Sequence, residues 1–132
     1  MIEKRLKKVF GHLNPENPPQ VCPIRDILSP VSDKWSLLII IFLGGFKKIR
    51  FNELKRKVYG ISSKVLTERL KTLERDGYIK RTVFPQVPVK VEYNLTEFGE
   101  KYLNQILNLT EWIENETPVI IKKRIKFDQI AK

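Results

Sequence analysis

Cysteine and histidine each occur once in 132 residues, as Cys22 and His12. A single cysteine excludes an intrachain disulfide and a cysteine-based zinc site, and the lone histidine adds no second ligand. One histidine cannot build a Ser/His/Asp or Cys/His set, and no Gly-rich phosphate loop occurs. The chain therefore reads as a non-enzyme that needs no cofactor and no metal. Long apolar runs are also missing. The most apolar segment, Trp35 to Leu43, is broken only by Ser36 and stops at Gly44-Gly45, about half of the roughly 20 residues that span a bilayer. It reads as a buried helix. Met1 to Lys8 is charged and amphipathic, and no apolar core with a small-residue cleavage site follows it, so a cytoplasmic chain with no membrane partner is expected.

Acidic residues are scarce in one place. Between Lys34 and Val91 stand 14 Lys/Arg against 4 Asp/Glu, whereas the other 74 residues balance at 11 against 11. The whole formal net charge of +10 therefore lies in that stretch. Nucleic acid is the first partner this implies, although a basic surface alone also suits acidic lipids or acidic proteins. The composition, 42% hydrophobic and 30% charged, is that of one packed globular domain.

The pattern on which the charge sits is more telling than its size. Leu6, Val9, Phe10 and Leu13 are spaced by three and four, which predicts a short amphipathic helix over Ile2 to Leu13, ended by the proline-rich stretch Asn14 to Pro19. Pro23 opens one or two turns that end near Pro30, and Ser32 or Asp33 then caps a central helix carrying Trp35, Leu38, Ile39, Phe42 and Leu43. Asn52 is expected to cap a short helix with Leu54 and Val58 inward and Lys55, Arg56 and Lys57 outward. After a turn at Gly60-Ile61, Ser62 caps a helix to about Arg75, closed by Asp76-Gly77. Leu66, Leu70 and Leu73 fix its core face, leaving Ser63, Lys64, Thr67, Glu68, Lys71 and Arg75 outside. Tyr78 to Phe84 and Val89 to Leu95 alternate as two strands around a proline-stiffened tip. From Thr96 a further helix has apolar residues on more than one face, among them Leu103, Ile106, Leu107 and Trp112. The basic tail beyond Pro118 is left between short helix and disordered extension.

Helix, turn, helix and hairpin in this order predict a mostly α fold with a small β-hairpin wing, a winged helix-turn-helix whose second helix enters the DNA major groove. The expected organisation is an N-terminal dimerisation helix or arm over 1–20, the winged domain with a C-terminal dimerisation helix over 21–117, and a tail over 118–132. The excess apolar surface implies a homodimer joined through the terminal helices, with Leu6, Phe10, Leu103, Ile106, Leu107 and Trp112 at the interface. Double-stranded DNA would be held by Lys47, Lys48, Arg50, Asn52 and Ser62 on phosphates and read by Ser63, Lys64, Thr67, Glu68 and Lys71 in helix 62–75. Arg81 and Lys90 flank a wing at 84–90 that tracks the backbone or a minor groove. Each of these is also what an ordinary solvated surface would carry. Cys22, beside Arg25, is the one residue with redox chemistry to offer, and its plain alternative is a small buried apolar side chain. The rival to an operator-binding regulator is a winged-helix module for protein or RNA contacts. A dimer cleft could hold a small-molecule effector, which no polar cluster identifies.

The run from Cys22 to Trp112 resembles the HxlR family of bacterial and archaeal winged-helix transcription regulators, relatives of the MarR group. The resemblance rests on Cys22-Pro23, Asp33-Lys34-Trp35 with Leu38-Ile39, and Arg50-Phe51-Asn52-Glu53-Leu54. It continues through Ile61-Ser62 with Leu66, Arg69-Leu70 and Leu73, then Asp76-Gly77-Tyr78-Ile79 followed by Arg81. Val87-Pro88, Val91-Glu92-Tyr93, Leu95-Thr96 and Gly99 complete it. Where family members usually carry Gly-Gly or a similar pair before Lys-Trp, this chain has Ser32-Asp33, which touches the cap and not the DNA face. The resemblance implies a homodimer on a pseudo-palindromic operator; a repressor is the expected form, although the sequence does not itself give the sign of regulation. It also implies that Cys22 occupies the position through which some members sense electrophiles or oxidants.

Overall fold

The computed structural model of the chain describes residues 1–10 and 21–131, without the side chain of Phe10. His12, Leu13 and the Asn14 to Pro19 breaker lie outside the described residues. The chain divides into two units, Met1–Asp33 and Lys34–Lys132.

The first unit holds α1 (Ile2–Phe10) and, after Cys22, a π-helical turn Pro23–Leu28 that tightens to a 3-10 turn Ser29–Val31. Pro23 sits at the start of that turn, where its missing N–H costs nothing. On α1, Ile2, Leu6 and Val9 are all exposed.

The second unit is built around α2 (Lys34–Gly45), which begins directly after Asp33. Apolar on nearly every side, this helix must be enclosed, and Ile39, Ile40 and Leu43 are at most 2% exposed. Around it come β1 (Ile49–Arg50), α3 (Phe51–Lys57), α4 (Ser63–Arg75), β2 (Ile79–Phe84), β3 (Lys90–Leu95) and α5 (Glu97–Ile130). The three strands form an antiparallel sheet in the order β1-β3-β2. β2 and β3 pair from Ile79 opposite Leu95 to Phe84 opposite Lys90, and β1 adds Ile49 opposite Tyr93 and Arg50 opposite Glu92.

The two-residue strand β1 has no periodicity of its own and is not legible in the sequence. It also moves a cap. The sequence pattern starts the short helix on Asn52, but pairing with Glu92 holds Arg50 extended, at φ −87° and ψ 158°, so the helix starts at once on Phe51 and Asn52 stands inside its first turn. Arg50 occupies the cap position without a side-chain hydrogen bond.

The α4 boundaries follow the sequence closely. The Val65 N–H donates to Ser62 Oγ at 3.1 Å, satisfying one orphan donor of the first turn. At the far end the N–H of Gly77 donates to the Glu74 carbonyl and that of Tyr78 to the Leu73 carbonyl, a Schellman pair that requires the left-handed φ of +84° at Gly77. Leu66, Leu70 and Leu73 are buried, worth roughly 1.5–3 kcal/mol each in apolar burial.

Thr96 joins the sheet to α5. Its hydroxyl accepts from the Gly99 N–H at 3.0 Å and donates back to the Gly77 carbonyl, while its own N–H donates to the Tyr78 carbonyl. At Gly99 a β-carbon would strike the Tyr78 carbonyl oxygen, so only glycine lets α5 come this close. Tyr78 then stacks between Phe98 and Tyr102, each ring centroid 4.8 Å away, and burial raises the Tyr78 hydroxyl above its ordinary pKa. This is the physical content of the Leu95-Thr96…Gly99 pattern: it fixes the angle between wing and final helix.

The tail beyond Pro118 is neither a separate short helix nor a disordered extension, because α5 runs through Pro118 to Ile130. A proline inside a helix removes one hydrogen bond and costs about 3 kcal/mol. The residues beyond it, rich in Ile, Lys and Arg, keep the helical pattern that carries the helix on. Among the described residues no single helix is long and apolar enough to cross a membrane.

Candidate nucleic-acid interface

With the leucines of α4 turned inward, the opposite side is presented to solvent. Ser62, Ser63, Lys64, Thr67, Glu68 and Lys71 are all exposed. The Thr67 hydroxyl donates to the Ser63 carbonyl at 2.8 Å, so what it retains for a base edge is its methyl group and an acceptor lone pair. The Glu68 carboxylate stands 4.0 Å from Arg69, a loose surface pair that leaves it available as an acceptor. Lys64 and Lys71 lie two turns apart on one solvent-facing strip.

Beside this helix the structure gathers charge at the foot of the wing. A cleft of about 360 Å³ between the start of α3 and β3 is lined by Arg50, Asn52, Arg56 and Lys90, together with Phe51, Glu53, Val89 and Val91. Three residues selected from sequence, Arg50, Asn52 and Lys90, thus share one hollow. Arg56 joins them without having been singled out by sequence, although the triplet Lys55-Arg56-Lys57 carried the signal. Lys57 itself lies 3.9 Å over the Phe46 ring.

One carboxylate organises this patch. Lys90 Nζ approaches Glu92 Oε1 to 2.9 Å and lies 4.9 Å over the Phe84 ring. The hydrogen bond from Lys90 is the main reason the Glu92 carboxyl is held below its ordinary pKa, with Lys48 and Arg50 adding to it. Three cations around one anion leave the wing base positive. Lys90 is consequently less free than the sequence implied, being half-buried and ion-paired, whereas Arg81 on β2 is exposed. Lys47 faces elsewhere, into a depression with Asn94 and Glu100.

Cys22 is half-buried and stands at the head of the Pro23 turn. Its N–H donates to Asp26 Oδ2 at 2.7 Å, and the Asp26 N–H returns a bond to the Cys22 carbonyl at 2.9 Å. Arg25 clamps the same carboxylate through Nε and Nη2, both at 2.9 Å. These contacts, Arg25 first, lower the Asp26 pKa from 3.8 to about 2. Arg25 is therefore committed to Asp26.

The residues expected between copies separate into two groups. Ile106 is 6% exposed and belongs to the core of its own chain, and Leu103 lies against Gly44 of α2. Leu6, Leu107 and Trp112 are exposed at 52%, 39% and 60%, while the Phe10 side chain lies outside the described residues. The exposed apolar residues Phe127 and Ile130 on α5 are not among those the sequence selects as interface, because the sequence pattern gives no firm helix beyond Pro118; Leu109 and Ile113, on the predicted part of the helix, are exposed as well.

The architecture agrees with known proteins. The HxlR-like helix-turn-helix family model matches residues 30–120. The chain is 39% identical over 103 residues to the HTH-type transcriptional regulator YtfH of Escherichia coli K12, covering 78% of this chain and 81% of that one. The structure of the transcriptional regulator ytfH from Salmonella typhimurium superposes with a TM-score of 0.71 at 38% identity, over 80% of this chain and 94% of the other. The redox regulator HypR in its reduced form gives 0.69 at 37% identity, over 76% and 98%. The arrangement of helices and small sheet is thus shared with helix-turn-helix regulators, and the chain belongs to the HxlR-like helix-turn-helix family of transcriptional regulators.

Proposed function

We propose that the chain acts as a homodimer on double-stranded DNA and represses transcription from a pseudo-palindromic operator. The observation that carries this reading is the exposed strip Ser63, Lys64, Thr67, Glu68 and Lys71, held outward by buried Leu66, Leu70 and Leu73. Lys64 and Lys71 donate to guanine O6 and N7, Glu68 accepts from cytosine N4, and Thr67 offers its methyl to thymine. Backbone N–H groups at the start of α4, with Arg50, Asn52 and Lys48, hold phosphates and set the register. The wing, with Arg81 exposed and Lys90 poised on Glu92, follows the flanking backbone or minor groove. Two such helices about 34–36 Å apart read both halves of a palindrome, and their occupancy of promoter DNA is repression in its simplest form. Lys64→Ala and Lys71→Ala are each expected to weaken operator binding by about 1–3 kcal/mol and to relax specificity at one base position; unchanged affinity and specificity in both would remove the assignment.

Cys22 is the residue through which this activity is regulated in the same proposal. Its half-exposure at the head of a clamped turn and the likeness to the redox regulator HypR support it. An oxidant should release the parent protein from DNA and leave Cys22→Ser bound. Equal release of both would leave Cys22 a structural thiol.

A further inference from the structure

Of the described residues in the three strands, Glu92 is the only acid, and the register puts it on the outer face of the sheet. Residues opposite one another on paired strands share a face. Lys80 with Asn94, Thr82 with Glu92 and Phe84 with Lys90 make one such row, and Arg50 on β1 stands opposite Glu92. The other face carries Ile49, Ile79 and Tyr93, all at most 8% exposed. On a surface that meets DNA, a carboxylate repels the ligand unless it serves the cations beside it. The contacts of Glu92 show which cations these are. Lys90 Nζ bonds Glu92 Oε1 at 2.9 Å, with the two side chains only 29% and 15% exposed, and the same ammonium lies over the Phe84 ring. Lys48 and Arg50 act on the carboxylate after Lys90. Lys90 is thus fixed between an anion and a ring, at the rim of the hollow that Arg50, Asn52 and Arg56 also line.

We infer that Glu92 is a positioning residue for one backbone phosphate of DNA seated in this hollow, where it holds Lys90 and Arg50 ready while Lys90, Arg50, Asn52 and Arg56 donate to the phosphate. This rests on the DNA-binding reading above and adds to it an acid that strengthens binding. A lysine loses rotamer freedom when it takes a phosphate, and one already held loses less. Its ammonium has three donors, of which Glu92 engages one. Arg50, Arg56 and Lys90 face a single lining carboxylate, Glu53, so the hollow favours an anion. Guanidinium forks suit the paired oxygens of a phosphate, and the Asn52 amide adds a neutral donor. The occupant is backbone and not a base edge, because no residue of the α4 strip lines the hollow.

Binding of the full chain to the duplex it selects from a random pool, and to a scrambled duplex, tests this. Glu92→Gln makes the protein more positive, so charge alone would tighten its hold on both duplexes. Positioning instead predicts a split: affinity for the selected duplex falls about fivefold or more, while affinity for the scrambled one does not fall. Duplexes carrying one neutral methylphosphonate per half-site, moved along the flanking backbone, locate the seat. At one position the neutral linkage should weaken the parent about tenfold and should weaken Arg56→Ala little further, because both changes remove the same contact. Arg56 is exposed, so this arm stands even if Glu92→Gln fails to fold, which circular dichroism reports. Glu92→Gln that folds and binds both duplexes more tightly overturns the positioning role. Penalties from Arg56→Ala and the methylphosphonate that add at every position overturn the seat. A parent that prefers no duplex over the scrambled one overturns the DNA reading, and the positioning role with it.

Discussion

Ser62 and Gly99 show how single residues fix the geometry on which the interface depends. The Ser62 hydroxyl holds the first turn of α4 through Val65, so Ser62→Ala should destabilise the protein by about 1 kcal/mol in denaturant unfolding. At Gly99 the obstacle is a backbone carbonyl, which cannot rotate away as a side chain would. Gly99→Ala should therefore cost about 1–3 kcal/mol and disturb the wing as well. Asp26 gives a pH dependence of definite sign. Its pKa in the folded chain is about 2 against an ordinary 3.8, so its stabilising bonds to Arg25 and the Cys22 N–H are fully present above 3.8 and are lost as pH falls through about 2. NMR of the Cys22 and Asp26 amides should show that turn titrating in acid and unchanged between pH 5 and 8. Ser62 and Gly77 are legible in the sequence because caps act through residues next to one another. The Asn52 cap misleads because a partner 42 residues away, Glu92 opposite Arg50, decides where that helix begins.

The elements divide their labour between opposite faces, and that division can be measured. Leu70 is 2% exposed and its neighbour Lys71 is exposed. Leu70→Ala should lose about 2–5 kcal/mol of stability. Lys71→Ala should stay within roughly 0.5 kcal/mol of the parent in stability while weakening DNA binding. If both variants lost stability alike, α4 would not be the two-faced helix described. The period of its leucines makes α4 readable from sequence, and the alternation of β2 and β3 does the same for the wing. α5 is readable only to Pro118, since proline is a sound stop signal locally, whereas the helix continues through it to Ile130. Ile106 reads as a contact with a partner for another reason: a helix apolar on two sides does not say which side belongs to its own core.

On the scale of the whole molecule, charge is distributed by task. The excess of cations lies between Lys34 and Val91, around α4 and the wing base, where a polyanion would meet it. α5 carries a nearly balanced charge that is acidic over 97–116 and basic over 119–131. The family and the two-faced helix α4 can be read from the sequence, because both rest on local pattern. The hollow that joins Arg50, Asn52, Arg56 and Lys90 cannot, because it is made by pairing β1 with β3. The central claim is that the α4 face reads sequence. Duplexes should be selected by the protein from a random pool, and the affinity of the enriched duplex compared with that of a scrambled one at physiological salt. The account predicts a palindromic winner bound at least about 10³-fold more tightly; equal affinity for both duplexes would contradict it.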